Sequence, residues 1–411
     1  MSDAAVIAPP RRAALAFIVV TVVLDMLALG MVIPVLPGLV EDFLGGDTAG
    51  AARVYGLFTT LWALMQFVSM PVMGALSDRF GRRPVILLSN LGLGLDYILM
   101  ALAPSLRWLF VGRVISGITA ASISTAMAYV ADVTPSEKRA GSYGLIGMAF
   151  GIGLVLGPAF GGLLGSVNPR LPFWAAAGFS LANALYGLLV LPESLPAARR
   201  RPFAWRRANP VGSLQLLRSH PELAGVAGAA FLSNLAHAAL PVTFVLYASY
   251  RYGWGARSVG LALAAIGASS AVVQGGLVGP LVRRYGERYI LLCGLLAGAL
   301  GFAICGFAPT GALFLVGVPM VALWGMAGPA GQGLMTRHVG ADEQGALQGA
   351  TGSIQGFATM IGPMLFAATF AWFIGAGADW NLPGAAYLLA SLLLGGAIIL
   401  AARATRRRPA S

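Results

Sequence analysis

The sequence predicts an all-α integral membrane protein with twelve transmembrane helices, arranged as two six-helix pseudo-repeats. Three observations support this fold class. Hydrophobic residues make up 58% of the 411 residues and charged residues only 10%, whereas soluble domains are about 45–50% apolar. The apolar residues form runs of about twenty, the length that a helix needs to cross a bilayer. The second half of the chain also repeats landmarks of the first.

The apolar runs are predicted to be helices because they lack the apolar–polar alternation of barrel strands. The first run has no small-residue cleavage site, so we expect it to remain as a helix rather than act as a signal peptide. Numbered 1 to 12 in chain order, the predicted spans are 13–38, 54–76, 85–103, 106–131, 141–165, 172–191, 222–248, 258–280, 288–307, 311–336, 346–373 and 383–402.

The net charge of +12 reflects topology rather than nucleic-acid binding. With both termini in the cytoplasm, 21 of the 27 Lys and Arg residues fall on the cytoplasmic side, five fall outside and one, Arg113, lies within a span. This bias follows the positive-inside rule. We therefore expect a multi-pass membrane protein with both termini in the cytoplasm, in contact with lipid and not with nucleic acid.

The residues give no sign of an enzyme or of a metal site. Cys293 and Cys305 share one apolar span, which excludes a disulfide framework, and the three histidines are scattered. No nucleotide-binding glycine loop occurs, and no set of nucleophile, base and oxyanion donors appears. The sequence therefore predicts no cofactor.

The predicted domains are an N-terminal six-helix bundle (1–192), a basic cytoplasmic linker (193–221) and a C-terminal six-helix bundle (222–411). "GALSDRFGRR", from Gly74, is echoed by "GPLVRRYGER", from Gly279, at an offset of 205 residues. The "GP" of span 5 recurs in span 11 at the same offset, which indicates a duplicated unit.

Three ionisable residues other than histidine lie deep in the spans: Asp25, Asp96 and Arg113. A charge in hydrocarbon is costly, so each is a functional candidate. At 1.5 Å per residue all three lie about 12 Å from the outer surface, which predicts one cluster that a single proton would neutralise. Asp25 and Arg113 correspond to Ala230 and Val318 in the second half. The cluster either couples transport to protons or is a static ion triad that fixes helix packing.

Several stretches resemble the tetracycline/proton antiporters, the twelve-helix drug exporters of the major facilitator superfamily. They include "LDMLALGMVIPVLPGL", "GALSDRFGRRP", "GRVISGITAASISTAMAYVAD" and "IGPMLFA". The resemblance implies the major facilitator fold and proton-driven efflux of a small amphipathic drug, tetracycline-like or multidrug. Two alternatives remain open: proton-linked transport of a native metabolite such as a sugar or a peptide-like compound, and a receptor or channel that does not pump.

The resemblance also implies a cytoplasmic gating motif in the loop after span 2. We expect Gly74 to end the helix, Gly81 to turn the loop, and Asp78 to face the start of span 11 near Gln344. A plain loop that holds topology is the alternative. The residues of the motif are Gly74, Asp78, Arg79, Gly81, Arg82, Arg83, Asp132 and Arg139.

Span 5 resembles the antiporter motif of the superfamily. Its glycines recur every four residues and form one bare stripe, which allows close helix contact, and Pro158 predicts a bend. We expect the stripe to pack against span 8, which offers Gly267, Gly275 and Gly279. The residues of the motif are Gly153, Gly157, Pro158, Gly161 and Gly162.

Polar and aromatic residues in the spans are candidates to bind a flat amphipathic substrate by stacking and hydrogen bonding. They are Trp62, Gln66, Asn234, His237, Gln274, Trp324, Gln348 and Gln355. Buried glutamines also join helices, and a lone histidine is often structural, so packing is the alternative. The resembled family carries a histidine in span 8 and an aspartate in span 9, where this chain has Ser270 and Gly298.

Overall fold

The computed structural model describes residues 11–119, 122–135, 139–200, 223–337, 339 and 344–405. Within these residues the regular structure is helical throughout, and the predicted fold class is confirmed. Eleven stretches are long and apolar enough to cross a membrane. Predicted span 4 is the remaining one: the structure describes helix on either side of residues 120–121, which lie outside the described part of the chain.

The helices follow the predicted spans closely. In the first half they are Arg11–Val32 and Leu36–Phe43 (span 1), Thr48–Phe80 (span 2), Arg82–Leu102 (span 3), Leu106–Thr119 and Ser122–Val133 (span 4), Arg139–Val167 (span 5) and Leu171–Val190 (span 6). In the second half they are Ala224–His237 and Ala239–Tyr252 (span 7), Ala256–Val272 and Val278–Tyr285 (span 8), Glu287–Phe307 (span 9), Gly311–Trp324 and Ala327–Thr336 (span 10), Gln344–Ile374 (span 11) and Ala385–Ala404 (span 12).

Two of the interruptions have a local cause. In span 1 the helix breaks at residues 33–35, because Pro34 has no backbone N–H to donate and its ring excludes the preceding turn. In span 8 a π-helical turn, Val273–Leu277, contains the adjacent glycines 275 and 276 and is followed by Pro280. Bulges of this kind absorb a residue that the regular helix cannot accommodate.

By packing, the chain divides into two compact units. The first contains Met1–Val32 and Met65–Asn209, and the second contains Ile33–Leu64 and Pro210–Ser411. The boundary at Val32 coincides with the helix break in span 1. The core of the first unit is formed by Ile18, Val22, Met26, Ile86, Ala126, Tyr129, Val130, Ile146, Ala149 and Leu191. The core of the second unit holds an aromatic cluster that includes Phe244, Tyr247, Phe302, Phe314, Phe370 and Tyr387.

The duplicated loop adopts the same backbone conformation in both halves. Gly81 has φ 106° and ψ 161°, and Gly286, 205 residues later, has φ 82° and ψ 158°. A positive φ favours glycine, so the prediction that Gly81 turns the loop is confirmed. The prediction that Gly74 ends span 2 is wrong, because the helix continues to Phe80 and a Cβ at Gly74 would meet no atom within 4 Å.

Candidate functional site

The structure brings the three buried charges of the first unit together. Asp25 is 5% exposed and Asp96 is 1% exposed, while Arg113 is partly buried. The charges of Asp96, Arg113 and Asp25 all act on the Tyr97 hydroxyl, so the three groups lie within electrostatic range of the same side chain. Arg113 donates from Nη2 to Ser116 Oγ at 2.9 Å. The cluster therefore places two acids and one base in a core that is otherwise largely apolar.

Two buried amides, Asn90 in span 3 and Asn183 in span 6, complete this cluster and were missed from the sequence. Both are 0% exposed, and Asn183 Nδ2 donates to Asp25 Oδ1 at 2.8 Å. A signal was available, because the residues 205 positions later are Leu295 and Leu388. The second half thus carries neither these amides nor the buried charges.

The loop after span 2 is organised around Arg82. Its guanidinium contacts Asp78 (Nη1–Oδ1 2.7 Å), Asp132 (Nε–Oδ2 3.1 Å) and Ser77 (Nη1–Oγ 2.6 Å). Asp78 is 43% exposed, whereas Arg82 is largely covered. Span 2, the start of span 3 and the end of span 4 are therefore joined by one guanidinium.

The remaining members of the predicted gating motif lie apart from this centre. Arg83 donates from Nη2 to the Leu188 carbonyl oxygen at 2.5 Å. Arg79 lies over the ring of Phe80, with its Cζ 5.1 Å from the ring centroid. Arg139 begins span 5, but its side chain lies outside the described part of the structure, as does that of Gln344.

Glu193 is a further member of the loop cluster that the sequence did not reveal. Its Oε1 accepts from the backbone N–H of Arg82 at 2.9 Å and from that of Leu195 at 2.9 Å. A carboxylate at a helix N-terminus satisfies an otherwise unpaired N–H and interacts favourably with the helix dipole. Glu193 therefore fastens the end of span 6 to the start of span 3.

An equivalent ion pair of opposite polarity occurs in the second unit. Glu287 at the start of span 9 accepts from Arg337 at the end of span 10, with Nη2–Oε1 2.9 Å. These residues lie 205 positions after Arg82 and Asp132, respectively. Both halves thus join the start of one span to the end of the next, with the charges exchanged between the two positions.

The glycine stripe of span 5 packs against span 1. A Cβ at Gly157 would lie 2.6 Å from Gly30 Cα, and one at Gly161 would lie 2.7 Å from the Met31 carbonyl carbon. A Cβ at Gly153 would lie 2.8 Å from the Leu27 nitrogen. The prediction that these glycines face span 8 is therefore wrong.

Pro158, another residue of the span 5 motif, also lies against span 1. A Cβ at Gly30 would meet Pro158 Cδ at 3.0 Å, and Gly162 is buried. The glycines offered by span 8 have open surroundings, since a Cβ at Gly275 or Gly279 would meet no atom within 4 Å.

The candidate substrate residues fall into three groups by exposure. His237, Gln274, Gln348 and Gln355 are exposed, and Trp62, Gln66 and Asn234 are partly buried. Trp324 is instead buried: its Nε1 donates to Ser233 Oγ at 2.9 Å, and its ring lies 5.5 Å from that of His237, centroid to centroid.

Two positions that carry titratable groups in the resembled family, those of the span 8 histidine and the span 9 aspartate, carry none here. A Cβ at Gly298 would lie 2.7 Å from Trp324 Cγ and 2.9 Å from Leu394 Cδ1, so this position has no room for a side chain. Ser270 is partly buried in span 8. The indole of Trp324 occupies the space that a side chain at position 298 would need.

Comparisons with known proteins agree with this architecture. A family model described as Major Facilitator Superfamily matches residues 18–363. The chain is 39% identical to the tetracycline resistance protein, class C, of Escherichia coli over 380 residues, 92% of this chain and 94% of that protein. It is 36% identical to the class G protein of Vibrio anguillarum over 359 residues, 87% of this chain and 90% of that protein. The solved structure of the human organic anion transporter MFSD10 (TETRAN) resembles it with TM-score 0.70 and 25% identity, over 96% of this chain and 100% of that chain.

Proposed function

This chain belongs to the major facilitator superfamily, and from that premise we propose that it exports a small amphipathic drug, tetracycline-like or broader in range, in exchange for protons. It is a multi-pass membrane protein with a small-molecule substrate. The proposal places it in a bacterial inner membrane as a monomer with both termini in the cytoplasm. The tetracycline resistance proteins among its relatives support the substrate class.

The observation that carries the proton part of the proposal is the pair of buried acids beside Arg113. Two carboxylates and one guanidinium leave a net charge of −1, which one proton neutralises. Intramembrane ionisable groups that face the interior of a helix bundle commonly mark proton relays. The cluster lies within the first six-helix half.

The exchange uses the inward proton gradient. Drug binds from the cytoplasm while the cluster carries its negative charge, and a proton that enters from outside neutralises the cluster and favours drug release. The halves 1–192 and 222–411 alternate access to the substrate. The loop around Asp78 and Arg82 has the gating role in this proposal: a contact that it makes in one state only stabilises that state.

Proton-linked transport of a native metabolite is the second candidate, and the surroundings of Gly298 favour it. An acid cannot occupy that position beside Trp324, so this chain cannot use the span 9 aspartate of the tetracycline antiporters. A different titratable set is compatible with a different substrate.

Two measurements test the proposal. An efflux-deficient bacterial host that expresses the chain should become resistant to tetracycline or to another amphipathic drug of a susceptibility panel, compared with the same host carrying an empty vector. In proteoliposomes with an imposed pH gradient, the same drug should cause proton movement. Unchanged susceptibility to every drug, together with proton movement caused by a sugar or a peptide, would favour the second candidate.

A further inference from the structure

The Asp25 carboxylate lies in a network of amide donors. Asn183 Nδ2 donates both to Asp25 Oδ1 at 2.8 Å and to the Thr21 carbonyl oxygen at 2.9 Å. Because the second bond is to backbone one turn earlier in span 1, the amide of Asn183 is fixed in orientation, with its N–H groups towards Asp25.

Asn90 approaches the same carboxylate from span 3. In the orientation that pairs donors with acceptors, its Nδ2 lies 3.0 Å from Asp25 Oδ1 and 3.2 Å from Oδ2. Its carbonyl oxygen then lies 3.1 Å from Asn183 Nδ2, which shares its two N–H groups among this oxygen, Asp25 and the Thr21 carbonyl oxygen. Amide orientation follows from the hydrogen-bond network, and this orientation pairs both polar atoms of the Asn90 amide. Two amides from two helices therefore donate to one carboxylate.

A proton on Asp25 would disrupt this network. A protonated carboxyl must donate its O–H, but both amides present N–H groups to it. Rotation of Asn183 would break its bond to Thr21, and rotation of Asn90 would break its bond to Asn183. The network therefore matches an ionised Asp25.

Asp96 has different surroundings, although it lies only six residues after Asn90 in span 3. Among the described residues neither of its carboxylate oxygens has a hydrogen-bond partner. Its charged neighbour is Arg113, whose guanidinium bonds to Ser116. Tyr97, the next residue in span 3, carries a hydroxyl group. The one titratable side chain of span 6 is Tyr186, and the one titratable group among the described side chains of span 5 is Tyr143. No amide opposes a proton on Asp96.

We propose that Asn90 and Asn183 are positioning residues that hold Asp25 as a fixed carboxylate, so that Asp96 is the group that takes up the transported proton. This inference rests on the proposed proton exchange and assigns distinct roles to the two acids. Asp25 supplies a constant negative charge opposite Arg113, and Asp96 changes its charge during the cycle.

Infrared titration of the purified protein tests the proposal without transport. Lowering the pH should produce a protonated-carboxyl band that disappears in Asp96→Asn and persists in Asp25→Asn. In Asn90→Leu and Asn183→Leu a second band should appear, because Asp25 has lost a donor. Leucine is the residue that the second half carries at both equivalent positions.

The matched control is Ser180→Ala, which changes a fully buried side chain one turn before Asn183. Among the described residues the Ser180 Oγ has no hydrogen-bond partner, so this variant should titrate like the wild type. A wild-type band that disappears in Asp25→Asn would overturn the proposal. Leucine variants that lower thermal stability without a second band would show that the amides only join helices.

Transport provides the second readout. In proteoliposomes Asn183→Leu should weaken drug-driven proton exchange most at low pH, because Asp25 has lost a donor to its charged form and then takes up a proton instead of supplying the constant charge opposite Arg113. The double variant Asp25→Asn with Asn183→Asp swaps the acid and the amide across one hydrogen bond. It should transport better than either single variant. Transport by the double variant that is no faster than that of the single variants would contradict the positioning role. Absence of drug-driven proton movement in the wild type would reject the proposed function, while the infrared result would still decide the roles of the two acids.

Discussion

Replacing Gly157 by alanine tests the contact between spans 1 and 5. The new Cβ would lie 2.6 Å from Gly30 Cα and 2.9 Å from the Leu27 carbonyl oxygen. Non-bonded carbon atoms pack at about 3.5–4.0 Å, so the two helices would have to separate by about 1 Å. Both neighbours are backbone atoms, so no side-chain rotation can relieve the contact.

Overpacking of this kind costs about 1–3 kcal/mol. For a unit of about 200 residues, each kcal/mol lowers Tm by about 2–4 °C, so we expect a fall of roughly 2–12 °C. The assay is heating in detergent followed by size-exclusion chromatography, with drug efflux measured in parallel. Efflux should fall together with stability, because the separated helices carry Asp25.

The matched control is Gly151→Ala on the same helix, where the new Cβ would meet no atom within 4 Å. This variant should melt at the wild-type temperature or slightly above it, because alanine favours the helix. Adding Gly30→Ala to Gly157→Ala should cost less than the sum of the two single changes, because the first change already separates the helices. Equal Tm values for Gly157→Ala and Gly151→Ala would refute the assigned contact.

Three further substitutions address the other features. Asp78→Asn should change stability by at most about 1 kcal/mol, as for an exposed pair, yet abolish resistance; full resistance at normal expression would show that the loop serves topology only. Glu287→Arg should lower Tm because it opposes Arg337, and the double variant with Arg337→Glu should recover the loss, whereas a double variant as unstable as the single would argue against the bridge. Gly298→Asp should lower Tm because the new Cβ would lie 2.7 Å from Trp324 Cγ and 2.8 Å from Trp324 Cβ; an unchanged Tm in Gly298→Asp would contradict the described packing.

The sequence predicted the helices and the buried charges well, for a physical reason. Lipid requires long apolar runs, so an internal charge such as Asp96 is visible in the sequence and its depth follows from the helical rise. The conformation of Gly81 was predictable because a short turn between helices requires a positive φ. Both predictions depend on local geometry alone.

Features that depend on the neighbouring helix were not predictable in the same way. A four-residue glycine spacing shows that span 5 has a bare face, but it does not show which helix lies against it. Gly30, the decisive partner, is a single glycine in span 1 with no pattern around it. Asn90 and Asn183 carry no charge, so only comparison with the leucines of the second half would have distinguished them.

The two ion pairs of reversed polarity have a consequence for the assembly of a duplicated chain. The helices of spans 3 and 9 have 21 residues each, so either could pack against the partner of the other while the chain enters the membrane. Arg82 beside Arg337, or Glu287 beside Asp132, would place like charges together, whereas each native pair is attractive. The exchange of signs disfavours the incorrect pairings as well as stabilising the correct ones. Each copy of the repeat therefore recognises its own helices, even though both descend from one sequence.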